Sequence, residues 1–258
     1  MATVSAKELG KFLAKHLNTY EYNDYGPNGL QIEGRSEISK IAFAVSAQRD
    51  SIAKACEFGA DAMIVHHGLF WKFHGVRTIT GSFAKRVKPL IQNDINLFGY
   101  HLPLDAHLED GNAAGIAKAI GLKDLGPYGD YKGMPTGVQG KFEKPLKPNE
   151  LKELLKKVLN HDIIHSEPND DDDDEISSMG IITGGANSDW RYCVREGLDA
   201  YLTGEMSEHD WHESREEGIH FFAGGHNATE RFGVIALKKL IEETYGLECI
   251  FIDSPNPA

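Results

Sequence analysis

The sequence is short of cysteine, and this shortage bears on the compartment in which the protein works. Its three cysteines are odd in number and far apart, and no C-x-x-C pair occurs. Each lies among apolar neighbours, so we expect Cys56, Cys193 and Cys249 to be buried free thiols. Free thiols suit a reducing compartment, which predicts a cytoplasmic protein.

Long apolar runs are also missing. No stretch of about 18 uncharged apolar residues is present, which argues against a transmembrane helix and a membrane partner. The first residues contain no run that resembles the apolar core of a signal peptide. They predict an amphipathic helix instead, with Leu9, Phe12, Leu13 and Leu17 on one face.

Positive charge is scarce as well. Lys and Arg number 27 against 39 Asp and Glu, which leaves a formal net charge of −12. Because affinity for phosphate backbones comes mainly from Lys and Arg, general nucleic-acid binding is not expected. A local basic lining stays open, since five cations cluster in sequence: Lys72, Arg77, Lys85, Arg86 and Lys88. The acidic run Asp170–Glu175 predicts a solvated loop. A Ca²⁺ site is the weaker alternative, because no glycine fixes the turn that an EF-hand needs.

Apolar residues nevertheless make up 41% of the 258 residues, enough for a substantial core. Short apolar runs alternate with helical segments, which is typical of β-α-β units with parallel strands. In the first half we predict strands at Ile41–Val45, Ala62–Val65 and Ile95–Tyr100, and helices at Asp50–Phe58, Ser82–Asn93 and Asn112–Ile120. In the second half we predict strands at Thr136–Phe142, Met179–Thr183, Ala200–Thr203 and His220–Ala223, and helices at Asn149–Asn160, Asp189–Glu196 and Ala228–Thr244.

The two halves align at a constant offset. Asp61 and Asp199 differ by 199 − 61 = 138 positions, and Gly59 meets Gly197 at the same offset. We therefore predict an α/β fold of two intertwined halves, 1–126 and 127–258, with mainly parallel sheets and an internal duplication. The alternative, that any two β-α-β units look this similar, stays open.

The most informative pair of residues is His66 and His67, which follow an apolar strand. Ligands of open α/β sheets bind at the carboxyl ends of the strands. Side chains alternate along a strand, so both rings can turn toward one centre only if the chain leaves the strand there. A hydrogen-bonded structural pair is the alternative.

Each half also has a His-x-x-x-carboxylate pair after its third strand: His101 with Asp105, and His226 with Glu230. Pro103 predicts a turn or a helix start in the first pair, and i and i+4 share a helix face in the second. Taken alone, Glu230 is better explained as a cap or dipole partner.

Together, the three motifs predict a two-metal site. Two carboxylates with three or four imidazoles suit Zn, Mn, Fe or Ni. Paired metals usually share a bridging carboxylate, and we assign that role to Glu230. Glu205 could lie in the same pocket, and His209 and His212 could line it or face solvent. No G-x-S-x-G, Walker or G-x-G-x-x-G motif offers a competing chemistry.

Five segments resemble the Nif-three-like dinuclear metal proteins, whose short bacterial form goes by the name GTP cyclohydrolase I type 2. They run in family order along nearly the whole chain: Pro27–Gly34, Val65–Trp71, Gly99–His107, Asp199–Glu205 and Gly224–Gly233. The resemblance implies a ring-shaped homohexamer with its sites facing an inner cavity. It also implies a dinuclear centre, with His101 close by, held by His66, His67, Asp105, His226 and Glu230.

Two functions follow as hypotheses. In the first, the protein is a metal-dependent hydrolase, and water acidified by two cations attacks a carbon. If the family name holds, that carbon is C8 of the nucleotide GTP, the ring opens and formate is lost, with His101 as the catalytic proton carrier. In the second, the protein is a non-catalytic metal chaperone or a scaffold. Turnover by the metal-loaded protein discriminates between them.

Overall fold

The structure is a computed structural model that describes residues 2–168 and 174–258. Most of the predicted acidic loop, from Asp170 to Asp173, lies outside the described residues. In the described part, no helix is long and apolar enough to cross a membrane.

The strands are labelled in chain order. They are β1 (Val4–Ser5), β2 (Gly29–Ile32), β3 (Glu37–Ile38), β4 (Lys40–Ser46), β5 (Ala62–His67), β6 (Asn96–Gly99), β7 (Lys123–Tyr128), β8 (Gly137–Leu146), β9 (Ile164–Ser166), β10 (Ile176–Ile181), β11 (Ala200–Thr203), β12 (His220–Ala223) and β13 (Glu248–Phe251).

The helices are labelled in the same way. They are α1 (Ala6–His16), α2 (Arg49–Phe58), α3 (Gly81–Gln92), α4 (Leu102–Ala106), α5 (Asn112–Ala119), α6 (Pro148–Leu159), α7 (Arg191–Glu196), α8 (Glu208–Glu216), α9 (His226–Thr229) and α10 (Arg231–Tyr245). Single turns of 3₁₀ helix lie at Thr19–Glu21, Lys72–His74 and Asn187–Trp190.

The chain divides into two compact units, and both are discontinuous in sequence. The first unit comprises Met1–Leu104 and Val234–Pro255, and the second comprises Asp105–Gly233 and Asn256–Ala258. This division differs from the predicted halves 1–126 and 127–258. The reason is packing, because α10 buries Val234, Leu237 and Ile241 in a core of the first unit, and β13 pairs with β4 there.

The first unit contains a sheet in the order β13-β4-β5-β6-β2. Its strands are parallel except β2, which pairs antiparallel with β6. Alternate residues of β4 enter different cores, since Phe43 lies in one cluster and Ala42 and Ala44 in another. Helices α1 and α10 contribute to the first cluster, and α2 and α3 to the second. The sheet is therefore covered by helices on both faces, as parallel sheets require.

The second unit contains a sheet in the order β7-β8-β10-β11-β12-β9. Strands β10, β11 and β12 are parallel, whereas β7, β8 and β9 are antiparallel additions. Helix α6 begins with Pro148 at its first turn and buries Leu151, Leu155 and Leu159 in the core on one face. The α/β fold is confirmed. Parallel pairing is confined to the three central strands in this unit.

Several local predictions can be checked directly. The strand at His220–Ala223 has the predicted bounds, and the long C-terminal helix is interrupted, because α9 ends at Thr229 and α10 begins at Arg231. The cysteines are free thiols. The prediction that all three are buried is wrong, because only Cys193 is fully buried and Cys56 and Cys249 are half-buried.

Candidate metal centre

Three histidines of the first unit form one cluster at the carboxyl ends of β5 and β6. His66 and His67 end β5, and His101 follows β6 after one residue. Each contributes a ring nitrogen to a group in which all three lie within 4.8 Å of one another. The ring centroids of His66 and His67 are 4.6 Å apart, and those of His66 and His101 are 5.0 Å apart.

The route by which adjacent histidines reach one cluster differs from the prediction. We expected the chain to leave the strand at the histidines, but β5 continues through His67, which pairs with Ser46 of β4. The ring planes are tilted by 51°, with His66 buried and His67 half-buried. The two imidazoles therefore come together while the backbone is still part of the strand.

Each ring of the cluster is held through its Nδ1 atom. Nδ1 of His66 lies 2.9 Å from the backbone oxygen of Tyr100, and Nδ1 of His67 lies 3.1 Å from Ser46 Oγ. Nδ1 of His101 lies 2.7 Å from Asp24 Oδ1. Hydrogen bonds to one ring nitrogen orient the other, which is how metal-ligating histidines are commonly positioned. The nitrogen suited to ligation is therefore Nε2 in all three rings.

Asp24 is a site residue that the sequence did not reveal. Its buried carboxylate accepts hydrogen bonds from the His101 ring, the Leu102 backbone and the Asn28 amide. Burial acts to raise the pKa of Asp24, but the hydrogen bond and charge of His101, with the bonds from Asn28 and Leu102, hold it below its ordinary value. Asp24 is thus an anion that orients the His101 ring.

The segment Pro27–Gly34 braces this cluster. Asn28 Oδ1 accepts a hydrogen bond from the His101 backbone N–H at 2.8 Å, and Gln31 Oε1 accepts one from Leu69 at 2.8 Å. One short segment therefore ties the chain after β6 to the chain after β5. This explains physically why an Asn and a Gln stand at these positions of the motif.

The second unit brings together a different set of donors: Asp105 in α4, His226 in α9, and Glu230 between α9 and α10. His226 Nε2 lies 3.1 Å from Glu230 Oε1, as the predicted i,i+4 spacing requires. Ligand oxygens of Asp105 and Glu230 lie within 4.8 Å of one another. Glu230 is 2% exposed and contacts His226, so a role as an exposed helix cap does not describe it.

Gly184 lies against the carboxylate of Glu230. Its φ of 72° is in the left-handed region, and a Cβ there would collide with the Glu230 carboxylate. Its backbone N–H donates to Thr229 Oγ1 at 3.1 Å. The preceding Thr183 donates its hydroxyl to Asp105 Oδ1 at 2.7 Å. Two consecutive residues therefore lie against the two carboxylates, Thr183 against Asp105 and Gly184 against Glu230.

Two carboxylates surround the His226 ring. Glu205 Oε1 lies 2.5 Å from Nδ1, on the side of the ring away from Glu230. Burial would lower the pKa of His226, but hydrogen bonds and charge from Glu230 and Glu205 raise it to about 9. The expectation that Glu205 could lie near the site agrees with this contact. His209 and His212, by contrast, are exposed on α8, where they approach Asp210 and Glu208.

The chemistry of both donor groups fits divalent metal ions. Imidazole nitrogen and carboxylate oxygen are ligands that Zn, Mn, Fe and Ni accept, and buried carboxylates without a nearby cation are costly. The structure thus contains groups of His, Asp and Glu side chains that could bind metal. The assignment of all five predicted ligands to a single dinuclear centre stays a prediction.

Comparison with known proteins adds independent evidence. The model of the Duf34/NIF3 (NGG1p interacting factor 3) family matches residues 4–257. A Haemophilus influenzae protein named "GTP cyclohydrolase 1 type 2 homolog" is 41% identical, covering 97% of this chain and 98% of the relative. A Pyrococcus abyssi protein of the same name is 39% identical with the same coverage. A solved structure described as "protein ybgI, unknown function" is 38% identical with a TM-score of 0.92, covering 99% of this chain and 100% of the other.

Proposed function

Since this chain belongs to the Duf34/NIF3 family, we propose that it is a metal-dependent hydrolase that acts on a nucleotide in the manner of GTP cyclohydrolase. The observation that carries the proposal is the cluster of His66, His67 and His101, whose ring nitrogens lie within 4.8 Å of one another. Imidazole nitrogens so close together are suited to bind a cation and to leave a neighbouring ring for proton transfer.

We assign the ligands of a dinuclear centre to the five residues His66, His67, Asp105, His226 and Glu230. Glu230 is the proposed bridge, because its carboxylate is buried and a carboxylate has two oxygens to share. Bound divalent ions would supply Lewis acidity and lower the pKa of a water molecule. Which of Zn, Mn, Fe or Ni serves is decided by measuring the metal content of the purified protein.

The proton transfers fall to His101. With Nδ1 bonded to Asp24, its Nε2 can take a proton from water and return it to the leaving nitrogen of the substrate ring. Asp24 keeps the ring in one orientation through the hydrogen bond to Nδ1. Attack at C8 of the guanine ring breaks a carbon–nitrogen bond of the ring, and a second hydrolysis releases formate.

The test is a turnover screen. Protein loaded with each metal in turn is incubated with GTP and other nucleotides, and products are identified by mass, including formate. Glu230→Gln serves as the control, because it keeps the shape of the side chain but weakens the proposed bridge. Formation of a ring-opened product by the parent alone supports the proposal. If fully metal-loaded protein turns over no nucleotide, the chaperone or scaffold alternative replaces it.

Two further features belong to this proposal. We propose the ring-shaped homohexamer that the resemblance implies, and sedimentation of the purified protein tests it through the mass of the assembly. The three free thiols support action in a reducing compartment, the cytoplasm.

A further inference from the structure

One segment of this acidic chain carries positive charge alone. Residues 62–93 contain no Asp or Glu, although the chain as a whole has a net charge of −12. The same stretch carries five cations: Lys72, Arg77, Lys85, Arg86 and Lys88. A strongly positive segment in a negatively charged chain attracts anionic ligands to that segment.

Part of this charge lines a cavity, which we call the Trp71 cavity. Its volume is about 260 Å³. Its wall combines apolar side chains with cationic or protonatable ones: Pro27, Phe70, Trp71, Lys72, His74 and Arg77. Small-molecule sites commonly have about 300–1,000 Å³, so this cavity suits one part of a small ligand. An aromatic wall next to cations is suited to a ligand that is both ring-containing and anionic.

Arg77 is held in place at this cavity. Its guanidinium carbon lies 3.8 Å from the centroid of the Phe83 ring, and its Nη1 donates to His74 Nδ1 at 3.0 Å. Arg86 approaches the same ring at 5.9 Å. Within residues 2–168 and 174–258, neither guanidinium forms an ion pair with a carboxylate. An arginine stacked on an aromatic ring keeps its N–H edges for an anion, and phosphate fits that edge well.

Trp71 connects the cavity with the histidine cluster. Its indole Nε1 donates to the Gly68 backbone oxygen at 3.2 Å, which fixes the ring. The indole centroid lies 5.0 Å from that of His101 and 5.9 Å from that of His67. Trp71 therefore both lines the cavity and lies next to the histidines, so a ligand that contacts Trp71 in the cavity lies near the histidine cluster.

We propose that the Trp71 cavity recognises a nucleoside triphosphate. The phosphates bind to Lys72 and Arg77, and the heterocycle contacts Trp71. This placement rests on the proposed function, because it puts the ring of the substrate beside His67 and His101. An extended nucleic acid fits less well, since the cavity is small and the chain carries an excess of negative charge.

The experiment measures equilibrium binding instead of turnover, with metal removed by a chelator. GTP, guanosine and inorganic triphosphate are titrated by calorimetry into the parent, Arg77→Gln, Trp71→Leu and Lys85→Gln. Arg77→Gln should weaken GTP and triphosphate by about 10- to 100-fold and leave guanosine unchanged. Trp71→Leu should weaken GTP and guanosine by about 10-fold and leave triphosphate unchanged.

Lys85→Gln is the matched control, because Lys85 is an exposed cation of α3 that does not line the cavity. It should change each affinity by less than about twofold. Arg77→Lys covers the case in which loss of the Phe83 contact disturbs folding, since it keeps the charge and should retain part of the triphosphate affinity. The thermal midpoint of each variant shows whether it is folded.

Two results would overturn the proposal. One is a parent protein that binds neither GTP nor triphosphate. The other is an equal loss of affinity in Lys85→Gln and Arg77→Gln, which would indicate only long-range attraction. Binding with the expected pattern, together with no turnover in the separate nucleotide screen, would retain this site and reject the hydrolase proposal.

Discussion

The β4-α2-β5 segment of the first unit and the β10-α7-β11 segment of the second share one backbone design. The parallel pairs have equivalent registers, because Ile41 pairs with Ala62 and Met179 pairs with Ala200, so both partners shift by 138 positions. Both crossover helices end at a left-handed glycine, Gly59 with φ 71° and Gly197 with φ 66°. The offset found in the sequence thus corresponds to equivalent strand pairing.

The similarity extends to a side chain that follows each crossover. Asp61 accepts hydrogen bonds from the backbone N–H groups of Ser39 and Lys40, and Asp199 accepts them from Ser177 and Ser178. These donors are again 138 positions apart. An internal duplication would produce this equivalence, and the duplication itself remains a prediction.

The two segments differ in what they present at the ends of their strands. The first unit presents imidazoles, with His67 at the end of β5, whereas Glu205 stands at the position 138 residues later. After the third strand, Asp24 supports His101 in the first unit, and Glu205 supports His226 in the second. One backbone design thus carries two kinds of donor, and His101 and His226 each have a carboxylate at Nδ1.

The largest expected effect is a difference in metal content between variants of the two donor groups. Parent protein should hold about two divalent ions per chain. Glu230→Ala should lose most of both, because the proposed bridge serves both ions, whereas His66→Ala should lose about one. Elemental analysis by mass spectrometry after dialysis measures this. Glu208→Ala, an exposed carboxylate of α8, is the control. If Glu230→Ala retains as much metal as the parent, Glu230 is not the bridge.

A second effect concerns His101 alone. His101→Gln should keep the metal content of the parent and lower turnover by about 10²- to 10⁴-fold, the usual size of a general acid–base contribution. Metal analysis and steady-state kinetics on the same preparation decide the matter. Loss of metal in this variant would make His101 a ligand, and unchanged turnover would remove it from the mechanism.

The carboxylates behind the imidazoles provide a smaller and sharper comparison. Asp24→Asn should lower turnover by about 10- to 100-fold with metal retained, because it supports a proton carrier. Glu205→Gln should instead weaken metal affinity by about 10- to 100-fold, because it supports a proposed ligand. Competition with a chelator measures the affinity, and a pH–rate profile of Asp24→Asn reports the change at His101. Identical effects of both substitutions would remove the distinction between the two units.

The paired aspartates should contribute unequally to stability. Asp61 is buried, accepts a third hydrogen bond from the Ser39 hydroxyl and forms a 2.8 Å ion pair with Arg35. Asp199 accepts from the hydroxyl of Ser178 and is half-buried. We expect Asp61→Ala to lower the free energy of unfolding by about 3 kcal/mol and Asp199→Ala by about 1–2 kcal/mol, as judged by denaturant titration. Equal losses would contradict this order.

Asp61 should also make the free energy of unfolding depend on pH in the acid range. Burial acts to raise the pKa of Asp61, but hydrogen bonds from Ser39 and Lys40 and the charge of Arg35 hold it below its ordinary value. Its stabilisation is therefore complete above about pH 4, the pKa in the unfolded chain, and is lost as pH falls through the lower folded value. Asp61→Ala should lack this part of the acid sensitivity.

The smallest expected effect comes from a histidine of the second unit outside the donor group. Burial, with the charges of His220, Lys152 and Arg215 nearby, lowers the pKa of His165 to about 3. Because the unfolded chain binds a proton near pH 6.5 and the folded protein does not, stability should fall as pH drops from about 6.5 toward 3. We expect the melting temperature to fall by a few degrees between pH 7 and pH 5.

His165→Phe removes the titrating group and keeps the aromatic stacking on Phe222, whose centroid is 4.1 Å away. Its melting temperature should change less over the same interval. The melting temperatures of parent and variant are recorded by circular dichroism over this pH interval. An equal change in both would falsify the assignment of this pH dependence to His165. The comparison also shows that histidines of this unit differ in kind, since the pKa of His165 is lowered and that of His226 is raised.

Sequence patterns predicted the central strands well, because strands depend on local signals, whereas the assignment of the metal ligands stays a prediction. Short apolar runs identify β4, β5, β11 and β12, and the His-x-x-x-carboxylate spacing places His226 against Glu230. The rule that ligands bind at the carboxyl ends of parallel strands pointed to His66 and His67. The proximity of His101 was expected only from the family resemblance.

The features that sequence reasoning missed depend on contacts between distant residues. Asp24 bonds to His101 at a separation of 77 positions, and nothing periodic around Asp24 announces it. Strand β13 is short and partly exposed, and it becomes a strand only by pairing with β4, about 200 residues earlier. The boundary between the units depends on which core α10 joins, and an amphipathic pattern does not specify its partner.

The discontinuity of the first unit has a consequence for how the chain is synthesised. The ribosome makes residues 1–104 first, but β13 and the part of α10 that completes their core come more than a hundred residues later. Nearly all of the second unit emerges in between, so it can reach its native state while the first unit still lacks an edge strand and a covering helix. A nascent chain stalled shortly after Gly233 should therefore expose the apolar surface of α1, β4 and β5. During this interval of translation the chain should be most susceptible to chaperone binding and to proteolysis.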